Sequence, residues 1–133
     1  MTRVRCVGAI VRDERGRLLM VRRGHAPSAG TWSVPGGRVE PGESDAEAVV
    51  RELREETGLE VRPGELVGRV ERPALDGVVY DIHDYAADVV SGQLAAGTDA
   101  ADARWVAEDE LPTLECSPGL VQQLRAWGVL RLS

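Results

Sequence analysis

Three glutamates in one predicted helix are the residues of this chain best suited to carry out chemistry. When residues 44–57 are placed on a helical wheel, Glu52, Glu55 and Glu56 fall on one flank of the apolar stripe. Glu52 and Glu56 are like charges four residues apart, and Glu55 and Glu56 lie near the negative end of the helix dipole. Both effects destabilise an isolated helix, whereas a bound Mg²⁺ or Mn²⁺, which prefers oxygen ligands, would relieve the repulsion. The pattern therefore indicates either a hard-cation site or an ordinary solvated acidic face.

The helix that carries these glutamates has clear start and stop signals. Ser44 and Glu47 form a capping-box pattern with Ser44 as the N-cap, and Gly58 supplies the left-handed residue that ends the helix. We expect Glu47, Arg51 and Arg54 on the flank opposite the three glutamates. The face predicted to pack against the core comprises Ala46, Val49, Val50, Leu53 and Thr57.

The segment before the helix also has features of a ligand site. The sequence Pro35-Gly36-Gly37 predicts a sharp turn that stops a short extended stretch, and glycines allow backbone groups to come close to a ligand. Glu43 directly precedes the N-cap and is placed to meet a basic side chain of the helix, with Arg51 as the candidate. A bidentate pair between these two residues would brace the loop against the helix.

Residues 37–59 resemble the Nudix box, whose pattern is G-x5-E-x7-R-E-U-x-E-E-x-G-U, with U aliphatic. Every specified position of the pattern is met. Weaker similarity extends over the segment before the box, over residues 32–37, and over residues 102–106 and 110–112. The resemblance implies an α/β fold, the Nudix α/β/α sandwich with a mixed central sheet flanked by helices. It also implies hydrolysis of a nucleoside diphosphate linked to a moiety X, with Mg²⁺ or Mn²⁺ as the cofactor.

The resemblance also implies roles for the residues at matching positions. A water or hydroxide would attack phosphorus, and a glutamate would take the proton of that water, with Glu55 and Glu56 as the candidates. The carbonyl of one of the two glycines would be a further metal ligand. The positions carried over are the metal ligands and catalytic residues Glu52, Glu55 and Glu56, the further ligands Gly36 and Gly37, and the structural brace of Glu43 and Arg51.

Candidate substrate contacts lie outside the box, and each has an ordinary alternative. Arg22 and Arg23 could contact substrate phosphates or could be solvated arginines at a strand end. Trp32 could stack on a base or belong to the core. Asp102 could be the late acidic residue that often serves the family as an accessory ligand or base, or a plain loop aspartate. For His83, packing or solvent exposure within a strand is favoured over catalysis.

The remaining segments predict a mixed sheet with helices packed against it. Strands are predicted over residues 4–11, 18–21, 32–34, 66–70, 78–90 and 104–106, with a hairpin turn at 13–16 and loops at 24–30 and around 97–99. A last helix is predicted to open with Ser117 as the N-cap and Pro118 at the first helical position. Its buried face would comprise Leu120, Val121, Leu124 and Trp127.

Length and charge fit one acidic domain over residues 1–133, with a formal net charge of −6. Residues 37–59 hold seven acidic residues against three arginines, a net charge of −4, so most of the acidity belongs to the predicted cation site. Apolar runs fall well short of about 20 residues and the N-terminus lacks a signal-peptide core, which predicts a cytoplasmic protein without a membrane segment. The acidity argues against nucleic acid as a partner. We expect a small nucleotide or nucleoside diphosphate derivative as ligand, and leave a homodimer open.

Two rival functions belong to other classes. A nucleotide-sensing Nudix-like module would bind its ligand without hydrolysis, but such modules often have a broken box, and this box is intact. An isomerase on the same fold would need a catalytic cysteine in the cleft. Cys6 lies in an apolar strand and Cys116 in a loop before a helix, and both are expected to be reduced and unreactive.

Overall fold

The computed structural model describes residues 2–24, 29–74, 77–96 and 100–130 of the chain, and the structural statements below concern these residues. The elements in chain order are β1 (Thr2–Ile10), β2 (Leu18–Arg23), β3 (Trp32–Ser33), β4 (Gly36–Arg38), α1 (Asp45–Thr57), β5 (Glu60–Pro73), β6 (Val78–Ser91), β7 (Ala100–Val106), the 3₁₀ helix Glu108–Thr113 and α2 (Leu120–Ala126). The predicted loop at 24–30 lies partly outside the described residues, and 97–99 lie wholly outside them.

Two sheets build the fold. The first has the strand order β4-β1-β6-β5, with β1 parallel to β6, and with β4 and β5 antiparallel to their neighbours. The second has the order β3-β2-β7 and is antiparallel. A parallel pair needs a long crossover connection, and the chain between β1 and β6 contains α1. The mixed sheet with flanking helices is thereby confirmed.

Two apolar clusters hold these layers together. Helix α1 contacts β1, β4 and β5, and so lies against one face of the first sheet. Helix α2 packs with the second sheet. The first cluster includes Val7, Ala9, Val49 and Leu53, and the second includes Leu18, Met20, Trp32, Leu120 and Leu124. The position of α1 places its glutamates beside β4, the edge strand of the first sheet.

Helix α1 begins and ends where its local signals predict. The Ser44 side chain accepts a hydrogen bond from the Glu47 N–H at 3.1 Å, and the Glu47 carboxylate accepts one from the Ser44 N–H at 3.0 Å. Gly58 ends the helix with φ 72°, in the left-handed region that favours glycine. These caps depend only on neighbouring residues, which is why the sequence predicts them well.

The buried face of α1 differs from the predicted one. Ala46 is exposed and Val50 is partly exposed, so the predicted core face is wrong at these two positions. The helix is turned toward its glutamate flank, and Glu56 is buried instead. The Gly36 N–H of β4 donates a hydrogen bond to the buried Glu56 carboxylate, which offsets part of the cost of its burial. The residues that α1 buries are Ala48, Val49, Leu53, Glu56 and Thr57.

The predicted hairpin at residues 13–16 forms around its turn, but its two strands pair only over a short stretch. The Gly16 N–H donates to the Asp13 carbonyl at 3.0 Å, the Asp13 N–H donates to the Arg17 carbonyl at 3.0 Å, and an antiparallel bridge joins Arg12 to Leu18. Away from the turn, β1 pairs with β4 and β6, whereas β2 pairs with β3 and β7. The hairpin prediction is therefore confirmed next to the turn, and β2 then continues into the other sheet.

Several strands extend beyond their predicted bounds. The segment predicted as a strand over 66–70 belongs to β5, which covers Glu60–Pro73 and accommodates shifts of register against β6. Gly36 and Gly37, predicted as part of a stop, instead begin β4, which pairs with β1. Backbone pairing with a distant strand decides these bounds, and local composition does not report it.

The start of α2 also differs from the prediction. The helix begins at Leu120 after Gly119, whose φ is 81°, and not after Ser117. The Ser117 N–H donates to the Trp32 carbonyl at 2.9 Å, so tertiary pairing with β3 holds Ser117 outside the helix. Leu120 and Leu124 are buried as predicted, while Val121 and Trp127 are only partly buried. Within the described residues, α1 and α2 are both too short and too polar to cross a bilayer.

Candidate active site

The first two glycines of β4 bring the backbone against the glutamates of α1. The Gly36 N–H donates to Glu56 Oε1 at 2.7 Å. A Cβ placed on Gly37 would lie 2.5 Å from the Cδ of Glu52 and would displace the Glu52 carboxylate from its position. Glycine at this position therefore permits the close approach of the strand to the carboxylate.

The loop before α1 is fixed to the helix by the predicted arginine–glutamate pair. Arg51 donates to the two carboxylate oxygens of Glu43 at 2.7 and 2.9 Å, and to the Arg38 carbonyl at 2.9 Å. The Arg51 hydrogen bonds hold the pKa of Glu43 down at about 2 and raise the pKa of Arg51. Arg51 also donates to Glu52 at 2.9 Å and to Glu55 at 3.4 Å. One guanidinium thus orients the loop and two of the three glutamates.

The three glutamates offer a donor set suited to a hard divalent cation. All their donor atoms are oxygens, and the β4 glycines add carbonyl oxygens. Within the described part of the chain, no three or more His, Cys, Asp or Glu side chains are arranged to hold a metal ion as they stand. Glu52 faces Arg51 and Glu56 faces the Gly36 N–H, while 45% of the Glu55 side chain is exposed. The oxygen donors of these residues are of the type that a hard cation prefers. To bind one, the carboxylates of Glu52 and Glu56 must rotate away from Arg51 and from the Gly36 N–H.

Comparison with known proteins shows which family the chain belongs to. A family model described as NUDIX domain matches residues 2–125. The chain belongs to the Nudix family.

Individual relatives of this Nudix chain differ in name and in length. It is 34% identical to the CTP pyrophosphohydrolase of Escherichia coli over 131 residues, which cover 98% of the chain and 96% of the relative. It is 40% identical over 109 residues to the ADP-ribose pyrophosphatase of Methanocaldococcus jannaschii, covering 80% of the chain but only 63% of that relative. The crystal structure of a MutT NUDIX hydrolase from Burkholderia pseudomallei superposes with a TM-score of 0.83 at 28% identity, covering 94% of this chain and 98% of the other.

The candidate substrate residues of this Nudix chain form one row in the second sheet. Arg22 lies opposite Trp32 on one side and Asp102 on the other. Trp32 is 5% exposed, and the Arg104 guanidinium lies 4.9 Å from its ring centroid, so the ring has little surface for a base. Asp102 accepts from Arg104 at 3.1 Å. Arg23, at the end of β2, is exposed.

His83 and the two cysteines lie in surroundings that suit packing rather than catalysis. His83 is mostly buried and lies 3.1 Å from the Asp81 carboxylate, which agrees with packing. Cys6 and Cys116 are partly buried free cysteines, and burial raises the pKa of both thiols. A raised pKa disfavours the thiolate, so neither cysteine has the character of a nucleophile.

The sequence analysis missed Asp84. This residue lies on β6 with 5% of its surface exposed, and no donor among the described residues reaches its Oδ1. Desolvation raises the pKa of Asp84 to about 6, opposed only in part by the charge of Arg72. The stretch around Asp84 mixes polar and apolar residues on both strand faces, so its alternation does not mark a buried acid.

Proposed function

We propose that the chain is a metal-dependent pyrophosphohydrolase. It cleaves a nucleoside diphosphate linked to a moiety X, by attack of water on phosphorus. The observation that carries the proposal is the packing of Glu52 and Glu56 against Gly36 and Gly37. Because these two glycines have no side chains, the carboxylate oxygens lie directly along the edge of the strand. The intact box and relatives named CTP pyrophosphohydrolase and ADP-ribose pyrophosphatase support it.

The acidic cluster would hold the cofactor. Glu52, Glu55 and Glu56 would bind Mg²⁺ or Mn²⁺ through carboxylate oxygens, with the Gly36 or Gly37 carbonyl as a further ligand. When bound, such a cation acidifies a water and neutralises charge on pyrophosphate oxygens. An acidic protein can therefore accept a polyphosphate, since the cation separates the like charges.

The glutamates and Arg51 would have different roles in the reaction. Glu55 is the most exposed of the three, and among the described residues its side chain is held by Arg51 at 3.4 Å, so it is best placed to take a proton from water and release it to solvent. Glu56 is buried and fixes the backbone of Gly36. Arg51 holds Glu52 and Glu43 in place, which keeps the acidic flank oriented toward β4.

The proposal is tested by hydrolysis of a nucleotide panel with Mg²⁺ or Mn²⁺. The panel contains (d)NTPs and their oxidised forms, ADP-ribose, nucleotide sugars and dinucleoside polyphosphates, and the nucleotide products are separated and measured by chromatography with and without EDTA. We expect metal-dependent hydrolysis of at least one compound. Glu56→Gln removes a carboxylate from the proposed cation site and should lower kcat about 100-fold or more, because the bound cation would supply several kcal/mol of transition-state stabilisation, while circular dichroism stays native.

Glu65→Gln is the matched control, because Glu65 lies exposed on β5 and undergoes the same chemical change. It should retain full activity. Two results would overturn the proposal: wild-type protein that hydrolyses nothing in the panel, or Glu56→Gln that matches Glu65→Gln. Calorimetric binding of a panel nucleotide without turnover would favour the nucleotide-sensing module instead.

Several finer expectations remain predictions. We infer a single domain over residues 1–133 that acts in the cytoplasm on a small nucleotide derivative, without nucleic acid or membrane as partner. Arg22, Arg23 and Asp102 stay candidates for substrate contact. Whether the chain forms a homodimer is answered by sedimentation.

A further inference from the structure

Asp84 is a buried carboxylate that the proposed hydrolysis does not use. Its Oδ1 has no hydrogen-bond donor among the described residues, and only 5% of the residue's surface is exposed to solvent. Arg72 is the cation that acts on it, yet the Arg72 guanidinium donates at 3.0 Å to the Pro118 carbonyl. An unpaired buried carboxylate oxygen destabilises the free protein. A ligand that supplied N–H donors would remove this cost.

The neighbours of Asp84 in the sheet lack side chains. Gly36, Gly8, Asp84 and Gly68 lie side by side across β4, β1, β6 and β5. A Cβ added to Gly8 would overlap with Asp84 Oδ1. The glycines therefore leave the carboxylate room within the sheet, and the row ends at Gly36, whose N–H holds Glu56.

Apolar groups border the carboxylate on both sides. A Cβ on Gly8 would lie 3.4 Å from Val34 Cγ2, and the Trp127 ring lies directly against Gly68. On the same face of β6, two residues before Asp84, Ile82 is only partly buried, as is its β1 neighbour Cys6. A partly exposed apolar surface with one polar group is the usual composition of a small-ligand site.

We propose that Asp84 selects the base of the substrate, by accepting hydrogen bonds from a guanine-type base. The inference rests on the proposed hydrolysis, because it assigns the nucleoside of the same substrate to this face of the sheet. Gly36 and Asp84 are two strand spacings apart, about 10 Å, so a nucleotide with its phosphates near Glu56 can place its base near Asp84.

The guanine edge suits a carboxylate better than the edges of the other bases do. A carboxylate only accepts hydrogen bonds, and guanine offers two adjacent donors, N1–H and the 2-amino group. Adenine and cytosine present one amino group beside a ring nitrogen, whose lone pair would face a carboxylate oxygen. With its pKa raised to about 6, Asp84 is still mostly ionised above pH 7, and two donors would stabilise that form.

The test compares kcat/KM for GTP, ITP, ATP, CTP and XTP at pH 7.5. ITP lacks only the 2-amino group, so we expect wild-type protein to prefer GTP over ITP by about 10- to 150-fold, the effect of one hydrogen bond to a charged group. In Asp84→Asn, the amide both donates and accepts, which matches the N1–H and 2-oxo group of xanthine. This variant should lose the preference for GTP over ITP and gain in relative activity on XTP.

Asp88→Asn is the matched control, because Asp88 lies exposed on the same strand, and it should keep the wild-type order of substrates. A gain on XTP is a change that mere loss of stability would not produce. The proposal is overturned if wild-type protein hydrolyses GTP and ITP equally well, prefers ATP or CTP, or if Asp84→Asn keeps the wild-type ratios. Failure of the hydrolase proposal looks different, because then no compound is cleaved. In that case, the dissociation constants of GDP and IDP for the Glu56→Gln variant test the base preference by itself.

Discussion

Two carboxylates near the proposed site, Glu43 and Asp84, have opposite surroundings. Glu43 accepts hydrogen bonds from Arg51 and from the Glu40 N–H, and its pKa is held at about 2. Asp84 has an oxygen without a donor among the described residues, and burial raises its pKa to about 6. A carboxylate that is satisfied within the chain fixes the structure, whereas one left unsatisfied is available to a ligand.

The difference follows from where each partner comes from. Glu43 and Arg51 are eight residues apart and meet because the capped helix starts between them. Asp84 pairs with Gly8 and Gly68, because strands distant in sequence lie on both sides of it. Neutralising each carboxylate in turn therefore separates a positioning role from a ligand-binding role.

Of the two neutralised carboxylates, Glu43 should have the larger effect on catalysis. In Glu43→Gln the amide no longer neutralises Arg51, so the loop between β4 and α1 loses its fixed position relative to the helix. Small displacements of a reacting group cost about 100-fold in rate, and we expect a fall of this order in kcat/KM. The measurement is steady-state kinetics on the best panel substrate.

Glu40→Gln is the control for this variant, because Glu40 is more exposed and lies 3.6 Å from Arg51. It should stay close to wild type. Equal kinetics for Glu40→Gln and Glu43→Gln would contradict the positioning role of Glu43.

Neutralising Asp84 should instead change the pH dependence of stability. Its pKa is about 6 in the folded protein, whereas the ordinary pKa of an aspartate is 3.8, so ionisation opposes folding. The protonated acid contributes its full stability below about pH 4, and this contribution is lost as the pH rises through 6. Relative to wild type, Asp84→Asn should gain up to about 3 kcal/mol in unfolding free energy between pH 4 and pH 8.

Urea unfolding of the free protein at these two pH values measures the change, with Asp88→Asn as the control that should show little of it. An unchanged difference between Asp84→Asn and wild type at both pH values would mean that Asp84 is not a buried, unpaired acid.

The effect of pH on the stability contributed by Glu43 should have the opposite sign to that of Asp84. Its folded pKa of about 2 lies below the ordinary glutamate pKa of 4.5, so its pairing with Arg51 contributes stability above pH 4.5 that is lost as the pH falls toward 2. The Glu43→Gln variant lacks this contribution at every pH, because its amide does not ionise. The melting temperatures of wild type and Glu43→Gln should therefore converge between pH 5 and pH 2.5, and parallel curves would refute the pairing as a source of stability.

Local signals account for the parts of the structure that the sequence predicts well. Ser44, Glu47 and Gly58 bound α1 through contacts within a few residues, and Arg51 lies within reach of Glu43 once that helix forms. The strand segments were also recognisable, but their partners were not. The parallel pairing of β1 with β6 joins residues more than 70 positions apart, and Trp32 draws Ser117 out of the predicted α2.

The sequence by itself determined the family, the glutamate helix and its brace, because these are written in residue types at fixed spacing along one continuous segment. Only the tertiary structure decided that α1 turns Glu56 inward onto Gly36, and that Asp84 lies between Gly8 and Gly68. The physical reason is that burial and hydrogen-bond satisfaction depend on which distant strands pair, and no local pattern around Asp84 specifies those partners.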